Sequence, residues 1–394
     1  MNPVSQNNLA APVRVGVAGH DLTLFVESPP LFDAMLDDIR TAQQRVWLET
    51  YIILDDPVGR RIAEALKEKA RAGLDVRLHY DAIGSLTTPY RFFRDLENAG
   101  VRVHAFHSFW EALWRFRILR VLNRRNHRKL LVIDDRVAYF GGMNVADVTN
   151  IRTVEQAEHV AWSSGWRDVH VRLEGPQLPE LAESFERSWK RAHGERIRWR
   201  PRGYRRAQLD VADESIQFFD SGPGLKHTRA ARVFRQLIRA ARKTITLSMA
   251  YFVPVGSVLR ELIRAHRRGV FIRTVVPGKS DVPVVHRATR HLYTRLLRKR
   301  FHVYERQVNM LHSKVMVVDG EWVVLGSSNL DARSLWINLE FLAVIHSRKL
   351  ARALSDVVRY EIAHSRRITL KNYLRRPCWQ RLFDRLAWSL RWWL

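Results

Sequence analysis

Hydrophobic and polar positions follow two periods along the chain, and the order of those periods repeats. Apolar residues with helical spacing, as in 31–44 and 233–243, precede short runs rich in β-branched residues. Those runs occupy 45–52, 73–81 and 101–106, then 244–252, 269–277 and 301–306. Alternating helices and strands predict an α/β fold with two pseudo-symmetric repeats, each a mixed β-sheet flanked by helices.

The clearest evidence for duplication is a segment that occurs twice. Residues 127–144 are HRKLLVIDDRVAYFGGMN and residues 312–329 are HSKVMVVDGEWVVLGSSN, with an offset of 185 residues throughout. We expect one active site at the interface of the two repeats. The predicted organisation is an N-terminal half at 1–195, a basic linker at 196–212, a C-terminal half at 213–365 and a basic, Trp-rich tail at 366–394.

Each copy carries a histidine and a lysine two positions apart, His127 with Lys129 and His312 with Lys314. On a strand such residues share one face, and pseudo-twofold symmetry would bring both pairs together. One neutral imidazole can attack phosphorus while a second, protonated imidazole donates a proton to the leaving alkoxide. The lysines would stabilise charge on the phosphoryl oxygens. These residues therefore predict phosphodiester chemistry through a phosphohistidine, and the spacing alone leaves open which histidine attacks.

Each motif ends in an aspartate, Asp134 or Asp319, seven residues after the histidine. Seven is an odd number, so each aspartate points to the opposite face of the strand from its histidine. Each also falls where the chain turns into the return strand, so we expect a hydrogen bond to nearby backbone. We keep both in the catalytic set as its weaker members.

The composition of the chain limits the classes of molecule that it could bind. The formal net charge is +26, which predicts nucleic acid, anionic lipid or a phosphate-bearing substrate. The single cysteine, Cys378, excludes a disulfide framework and a Cys-based zinc site. No metal motif is apparent, so we expect no metal and no cofactor. The N-terminus does not resemble a signal peptide and no apolar stretch would span a bilayer, so membrane contact is expected to be peripheral.

The duplicated motif resembles that of the phospholipase D superfamily, and HRKLLVID…GGMNVAD with HSKVMVVDG…GSSNLDARS is similar to bacterial cardiolipin synthases. The chain looks most like the short B-type, without N-terminal spanning helices. The resemblance implies that two phosphatidylglycerol molecules give cardiolipin and glycerol, with His127 the nucleophile and His312 the general acid. Because no signal peptide is apparent, we expect a peripheral enzyme on the cytoplasmic face of the bacterial inner membrane.

The resemblance further implies a carboxylate behind each histidine, at Asp168 and Glu340. A carboxylate on Nδ1 would fix the tautomer and support an imidazolium; ordinary ion pairing is the alternative. Asn144 and Asn329 match asparagines that can hold phosphate oxygens, or else cap turns. The second copy has Ser327 where the first has glycine, so a hydrogen bond there would have no counterpart.

Aromatic residues supply the remaining candidates. Tyr51 and Tyr251 end matched strands and would line the site, unless they are core aromatics. The segment 107–126 interleaves aromatic and aliphatic residues with arginines, which predicts an interfacial lip or a helix packed on the core. The segment 378–394 places Trp379, Leu382, Phe383, Leu386, Leu390, Trp393 and Leu394 on one helical stripe, with the same two interpretations.

Four functions stay open on these residues. A phosphatidyltransferase on an anionic phospholipid membrane is the leading one. A phospholipase D hydrolase would use the same side chains with water as acceptor. A nuclease would suit the positive charge, although the Trp-rich segments favour lipid and we expect no nucleic-acid partner. A membrane-binding scaffold is disfavoured because both motifs are complete.

Overall fold

The computed structural model describes residues 11–107, 123–147, 165–193, 214–223 and 228–394. The described strands form two sheets, one from each half of the sequence. The first contains β1 (Val13–Val17), β2 (His20–Phe25), β3 (Arg45–Thr50), β4 (Asp75–Asp81), β5 (Arg102–Phe106), β6 (Leu130–Ile133), β7 (Val137–Gly141) and β8 (His170–Glu174). The second contains β9 (Ser215–Ser221), β10 (Thr244–Met249), β11 (Phe271–Pro277), β12 (His302–Arg306), β13 (Lys314–Val318), β14 (Trp322–Gly326), β15 (Glu340–His346) and β16 (Ser365–Ile368).

Both sheets combine a parallel part with an antiparallel part. The strand orders are β1-β2-β8-β7-β6-β3-β4-β5 and β16-β12-β11-β10-β13-β14-β15-β9. Strands β3, β4 and β5 are parallel, as are β10, β11 and β12, and the hairpins β6–β7 and β13–β14 join them antiparallel. This matched topology confirms the predicted α/β class with two mixed sheets. The edge strands β1, β9 and β16 were not predicted.

Helices cover the sheets. They are α1 (Ser28–Arg40), α2 (Pro57–Arg71), α3 (Tyr90–Asn98), α4 (Leu178–Ala192), α5 (Arg229–Ala240), α6 (Gly256–Arg267), α7 (Pro283–Arg298), α8 (Ala332–Trp336), α9 (Arg348–Ala363), α10 (Leu370–Leu374) and α11 (Cys378–Ser389). Local signals set their starts: in α2, Pro57 occupies the first turn and the Asp56 carboxylate accepts the Gly59 N–H at 2.8 Å.

A shared apolar core joins the two halves. Leu130 and Val132 of β6 and Val315 and Val317 of β13 belong to one buried cluster, which α4 and α9 flank. The opposite sides of these strands pack in separate cores against each half's own helices. Strands buried on both sides have near-continuous apolar sequences. The shared core holds the halves together beneath the segments that carry the histidines.

Three predicted segments lie wholly or mostly outside the described residues. These are the basic linker at 196–212, most of the proposed lip at 107–126, and the first ten residues. The last described residue of the first half is His193, and β9 of the second sheet begins at Ser215. The predicted bounds of the linker stay a prediction.

Candidate active site

Each motif histidine is held by backbone of the opposite half. The His127 N–H donates to the Leu339 carbonyl at 2.9 Å, and the His312 N–H donates to the Arg167 carbonyl at 2.7 Å. Both histidines precede the strands on which we predicted them, since β6 begins at Leu130 and β13 at Lys314. The departure has a physical reason: the segment leaves its own sheet to pair across the interface.

The carboxylates behind the histidines are exchanged between the halves as well. His127 Nδ1 lies 3.1 Å from Glu340 Oε2, and His312 Nδ1 lies 2.7 Å from Asp168 Oδ2. A carboxylate at Nδ1 fixes that nitrogen as the protonated one and leaves Nε2 available for chemistry. Neither half supplies both members of either motif pair, so the site requires both halves.

The two lysines lie beside their own histidines and are buried. Lys129 Nζ donates to the His127 carbonyl at 2.7 Å, and Lys314 Nζ donates to the His312 carbonyl. Lys314 also pairs with Asp168 Oδ2 at 3.2 Å. Two ammonium groups are therefore placed where they could stabilise an anionic phosphoryl group.

Burial and repulsion between neighbouring cations disfavour the protonated forms of His127, His312 and Lys129. Burial, then Lys129, Lys314 and His312, hold the pKa of His127 well below its ordinary value. Burial and Lys314 also lower the pKa of His312, although Asp168 opposes this. Burial and the charge of Lys314 lower the pKa of Lys129 to about 7. A bound phosphodiester would offset this repulsion and restore positive charge.

The two carboxyl groups differ in charge state. Burial raises the pKa of Glu340 to about 7, against the opposing effects of Ser327 and Lys129. Burial also favours the neutral form of Asp168, but Lys314 and His312 outweigh it and hold the pKa of Asp168 below its ordinary value. His312 thus faces a carboxyl group whose charged form is favoured, whereas His127 faces one whose neutral form burial favours.

One residue position beside these carboxyl groups also differs between the two copies of the motif. Ser327 Oγ donates to the Glu340 carboxylate, a bond that sequence comparison of the two copies anticipated. The matching residue of the first copy is Gly142, where an added Cβ would lie 2.2 Å from Asp168 Oδ1. The shorter acid occupies the space that a serine would need, so the first copy requires glycine there.

Aromatic rings pack on both histidines. The Tyr51 ring centroid lies 5.0 Å from that of His127, and the Tyr251 ring centroid lies 6.3 Å from that of His312. Trp166 also packs on His312, at 4.8 Å. Sequence reasoning missed Trp166; its position two residues before Asp168 was the available signal.

The asparagines occupy different environments. Asn329 Oδ1 accepts the Tyr251 N–H at 3.4 Å, as expected of a residue that fixes the backbone. Asn144 is 9% exposed, and its Oδ1 has no hydrogen-bond partner among the described residues. Asn144 is therefore the better placed of the two to bind a ligand.

The motif aspartates lie at the other end of their strands, away from the histidines. Asp134 and Asp319 adopt φ values of 52° and 53° in the turns after β6 and β13. The Asp134 carboxylate accepts the N–H groups of residues 43–45 at 2.9–3.0 Å. Asp319 does the same with residues 242–244 at 2.7–2.8 Å. We therefore correct their inclusion in the catalytic set: both aspartates hold turns.

A buried polar network under the site was not predicted. Glu49 accepts from Asn126 Nδ2 at 2.8 Å and from Arg128 Nε at 2.9 Å. Arg128 also reaches Asp220 of the other sheet at 2.6 Å. Arg128 is the variable residue of the first motif, so the motif pattern gave no signal for its role in linking the halves.

The described part of the chain contains no cluster of three or more His, Cys, Asp or Glu side chains that could bind a metal ion. None of its helices combines the length and apolar character that crossing a bilayer requires.

Comparisons with known proteins identify the family of the chain. The family model described as "Cardiolipin synthase, PLD-like domain" matches residues 35–171 and 234–360. Cardiolipin synthase of Listeria welshimeri is 33% identical over 364 residues, which cover 91% of this chain and 72% of that protein. Cardiolipin synthase 1 of Staphylococcus aureus is 30% identical over 366 residues, which cover 92% and 71%.

Among solved structures, the phosphatidylserine synthase of Haemophilus influenzae superposes with a TM-score of 0.70 at 12% identity, covering 99% of both chains. This likeness shows the shared fold. From the family model, the relatives and the fold together, the chain belongs to the cardiolipin synthase family with its phospholipase D-like domains, and it is an enzyme of the phosphatidyltransferase and phospholipase D type.

Proposed function

We propose that this enzyme makes cardiolipin and glycerol from two molecules of phosphatidylglycerol through a phosphohistidine intermediate. The observation that carries the proposal is the pair of buried histidines, each bonded at Nδ1 to a carboxylate of the opposite half. Two imidazoles bonded through Nδ1 can offer Nε2 for chemistry, one as nucleophile and one as acid–base group. The cardiolipin synthases among its relatives support the choice of lipid.

In the first step His127 Nε2 attacks phosphorus of the first phosphatidylglycerol. The bond from phosphorus to the headgroup glycerol breaks, and protonated His312 gives its Nε2 proton to the departing oxygen. Lys129 and Lys314 stabilise the charge on the non-bridging oxygens. The products are glycerol and a phosphatidyl group on His127.

In the second step His312, now neutral, accepts the proton of a headgroup hydroxyl of a second phosphatidylglycerol. That oxygen attacks phosphorus, the bond to His127 breaks, and cardiolipin leaves. His312 is protonated again for the next cycle, so proton and electron counts balance over the two steps.

The unequal environments of the histidines support this assignment of roles. The pKa of His127 is held well below its ordinary value by burial and nearby cations, which favours the neutral nucleophile. The ionised Asp168 at 2.7 Å stabilises the imidazolium form of His312, which the general acid needs.

Product analysis tests the proposal. Purified protein is incubated with phosphatidylglycerol vesicles and a chelator, and the lipids are resolved by mass. We expect cardiolipin and glycerol, lost in His127→Ala and His312→Ala and kept in the control His302→Ala. Phosphatidic acid alone would show that water is the acceptor and that the enzyme is a hydrolase. No lipid turnover would contradict the substrate class, and single-stranded and duplex DNA would be tested with the same variants.

The proposed substrate lies in a membrane, so we also propose that the protein works peripherally on an anionic phospholipid bilayer. Its location on the cytoplasmic face of the bacterial inner membrane stays a prediction.

A further inference from the structure

The C-terminal helix α11 packs with its polar side inward. Asp384 and Ala387 are buried against α7, and the Asp384 carboxylate pairs with Arg376 at 2.8 Å. The apolar stripe predicted from the sequence faces outward instead. Its large side chains are 49–67% exposed: Trp379, Leu382, Phe383, Leu386, Leu390 and Trp393. The interpretation in which this stripe covers the core is therefore wrong.

Basic residues border this exposed stripe. A cavity of about 610 Å³ runs between α7 and α11, and Asp384 is its acidic residue, already paired with Arg376. The cations that line it are Arg295, Arg298, Lys299, Arg376, Arg381 and Arg385. Such a groove favours anionic groups.

The C-terminal segment reaches the candidate active site through partly buried residues of α11 and the last residue of the chain. Tyr251, whose ring packs on His312, belongs to the same small apolar cluster as Trp388 and Leu394. The Leu394 carbonyl accepts the Arg333 N–H of α8 at 3.0 Å, which fixes the end of the chain there.

A second exposed apolar pair lies beside the other half of the site. Leu86 and Tyr90 are 76% and 70% exposed and follow the turn in which Gly84 packs on Tyr51. Tyr51 in turn contacts His127. Exposed apolar side chains thus flank both histidine–tyrosine pairs.

We propose that α11 and residues 390–394, with the cations of the α7–α11 groove and the Leu86–Tyr90 pair, form one surface that docks on an anionic phospholipid bilayer. Tryptophan and arginine together favour the headgroup zone of a bilayer. Charge complementarity selects an anionic membrane, because the chain carries +26 and the groove is basic. Docking there would present lipid headgroups to both histidines. This docking does not depend on whether a lipid hydroxyl or water is the acceptor of the reaction.

Vesicle co-sedimentation of the full chain tests the apolar part. The probe is vesicles of equal parts phosphatidylglycerol and phosphatidylcholine. The triple variant Trp379→Ser, Leu382→Ser, Leu386→Ser should bind about tenfold more weakly or worse. The control is Phe271→Ser, since Phe271 is also exposed but starts β11 at the end of the sheet away from the histidines. Equal binding by the triple variant and the wild type would overturn the proposal.

Charge is tested with a second matched pair. Arg295→Gln, Arg298→Gln, Lys299→Gln should lose about tenfold or more in affinity for the same vesicles, because each cation near an anionic surface contributes to binding. The control Arg348→Gln, Lys349→Gln, Arg352→Gln removes three exposed cations of α9, beside the turn that contains Glu321. An equal loss in the control would mean attraction by net charge alone, and the docking surface would be wrong.

Two further readouts separate docking from chemistry and from self-association. With short-chain phosphatidylglycerol dispersed as monomers, the apolar triple variant should turn over like the wild type, while its turnover on vesicles falls. A wild type inactive on both substrates would contradict the proposed reaction and leave sedimentation to judge docking. If light scattering shows a wild-type dimer and a monomeric triple variant, a second copy covers the surface and the bilayer proposal fails.

Discussion

The two half-sites share a backbone plan but differ in their acids. In the His127 half-site (His127, Lys129, Glu340, Ser327), a longer acid is bonded by a serine and has a pKa of about 7. In the His312 half-site (His312, Lys314, Asp168, Gly142), a shorter acid is bonded by a lysine and has a lowered pKa. Phosphoryl transfer through two histidines needs one neutral and one protonated imidazole at the start. Under the proposed mechanism, the difference between the acids would favour the neutral form of His127 and the protonated form of His312.

Removing the histidines is expected to have the largest effect and to separate their roles. His127→Ala and His312→Ala should each lower turnover of phosphatidylglycerol by about 10⁴-fold. A phosphatidyl ester of nitrophenol does not need a proton donor, because its leaving group is weakly basic. His312→Ala should therefore release about one equivalent of nitrophenol in a burst, whereas His127→Ala should release none. The reverse pattern would exchange the two roles.

Neutralising the acids one at a time tests the inequality directly. Asp168→Asn should lower the rate by about 10³-fold or more, because His312 loses the anion that stabilises its imidazolium. Glu340→Gln should cost about tenfold, because burial already favours the neutral form of that carboxyl group. Initial rates on vesicles measure both. Equal losses would show that the two half-sites are equivalent.

Replacing Gly142 or Ser327 by alanine should have a smaller effect, which differs between the half-sites. Gly142→Ala places a Cβ 2.2 Å from Asp168 Oδ1, and we expect about 1–3 kcal/mol of lost stability, together with a displaced acid. Ser327→Ala removes one hydrogen bond to Glu340 and should cost about 1 kcal/mol. Urea unfolding and initial rates measure the pair. A tolerated Gly142→Ala would show that the shorter acid does not require glycine.

The pH dependence of stability tests the environment of Glu340 alone. Because the folded-state pKa of Glu340 is raised from 4.5 to about 7, its contribution is fully present below pH 4.5 and is lost as the pH rises through 7. Glu340→Gln should flatten the fall in unfolding free energy between pH 4.5 and 7. Urea unfolding over that range measures it, with Glu64→Gln, an exposed carboxyl group, as control. A slope unchanged from the wild type would contradict the raised pKa.

Duplication made the fold and the central residues predictable. The offset of 185 residues identified His127, Lys129, His312 and Lys314, because strand and turn patterns repeat around them. It could not show that Asp168 and Glu340 exchange halves, since they lie outside the duplicated segment and only the family resemblance pointed to them.

Other features depend on tertiary contacts that periodicity does not encode. The sequence identified the stripe on α11 but left its orientation open, because it could not show that the buried Asp384–Arg376 pair and the small Ala387 give the polar side a place to pack. Arg128 likewise shows no pattern, since its role is to bridge two carboxylates of different sheets.

The location of the proposed covalent intermediate is the most direct test of which histidine attacks phosphorus. The His312→Ala variant is mixed with the nitrophenyl ester, quenched in denaturant at alkaline pH, digested and analysed by mass spectrometry. We expect a phosphorus adduct on the peptide that contains His127, and none in His127→Ala. If His127→Ala carries an adduct on the His312 peptide and His312→Ala carries none on the His127 peptide, the assigned roles of the two half-sites are wrong. Lipid turnover by the wild type without any adduct would contradict the phosphohistidine itself.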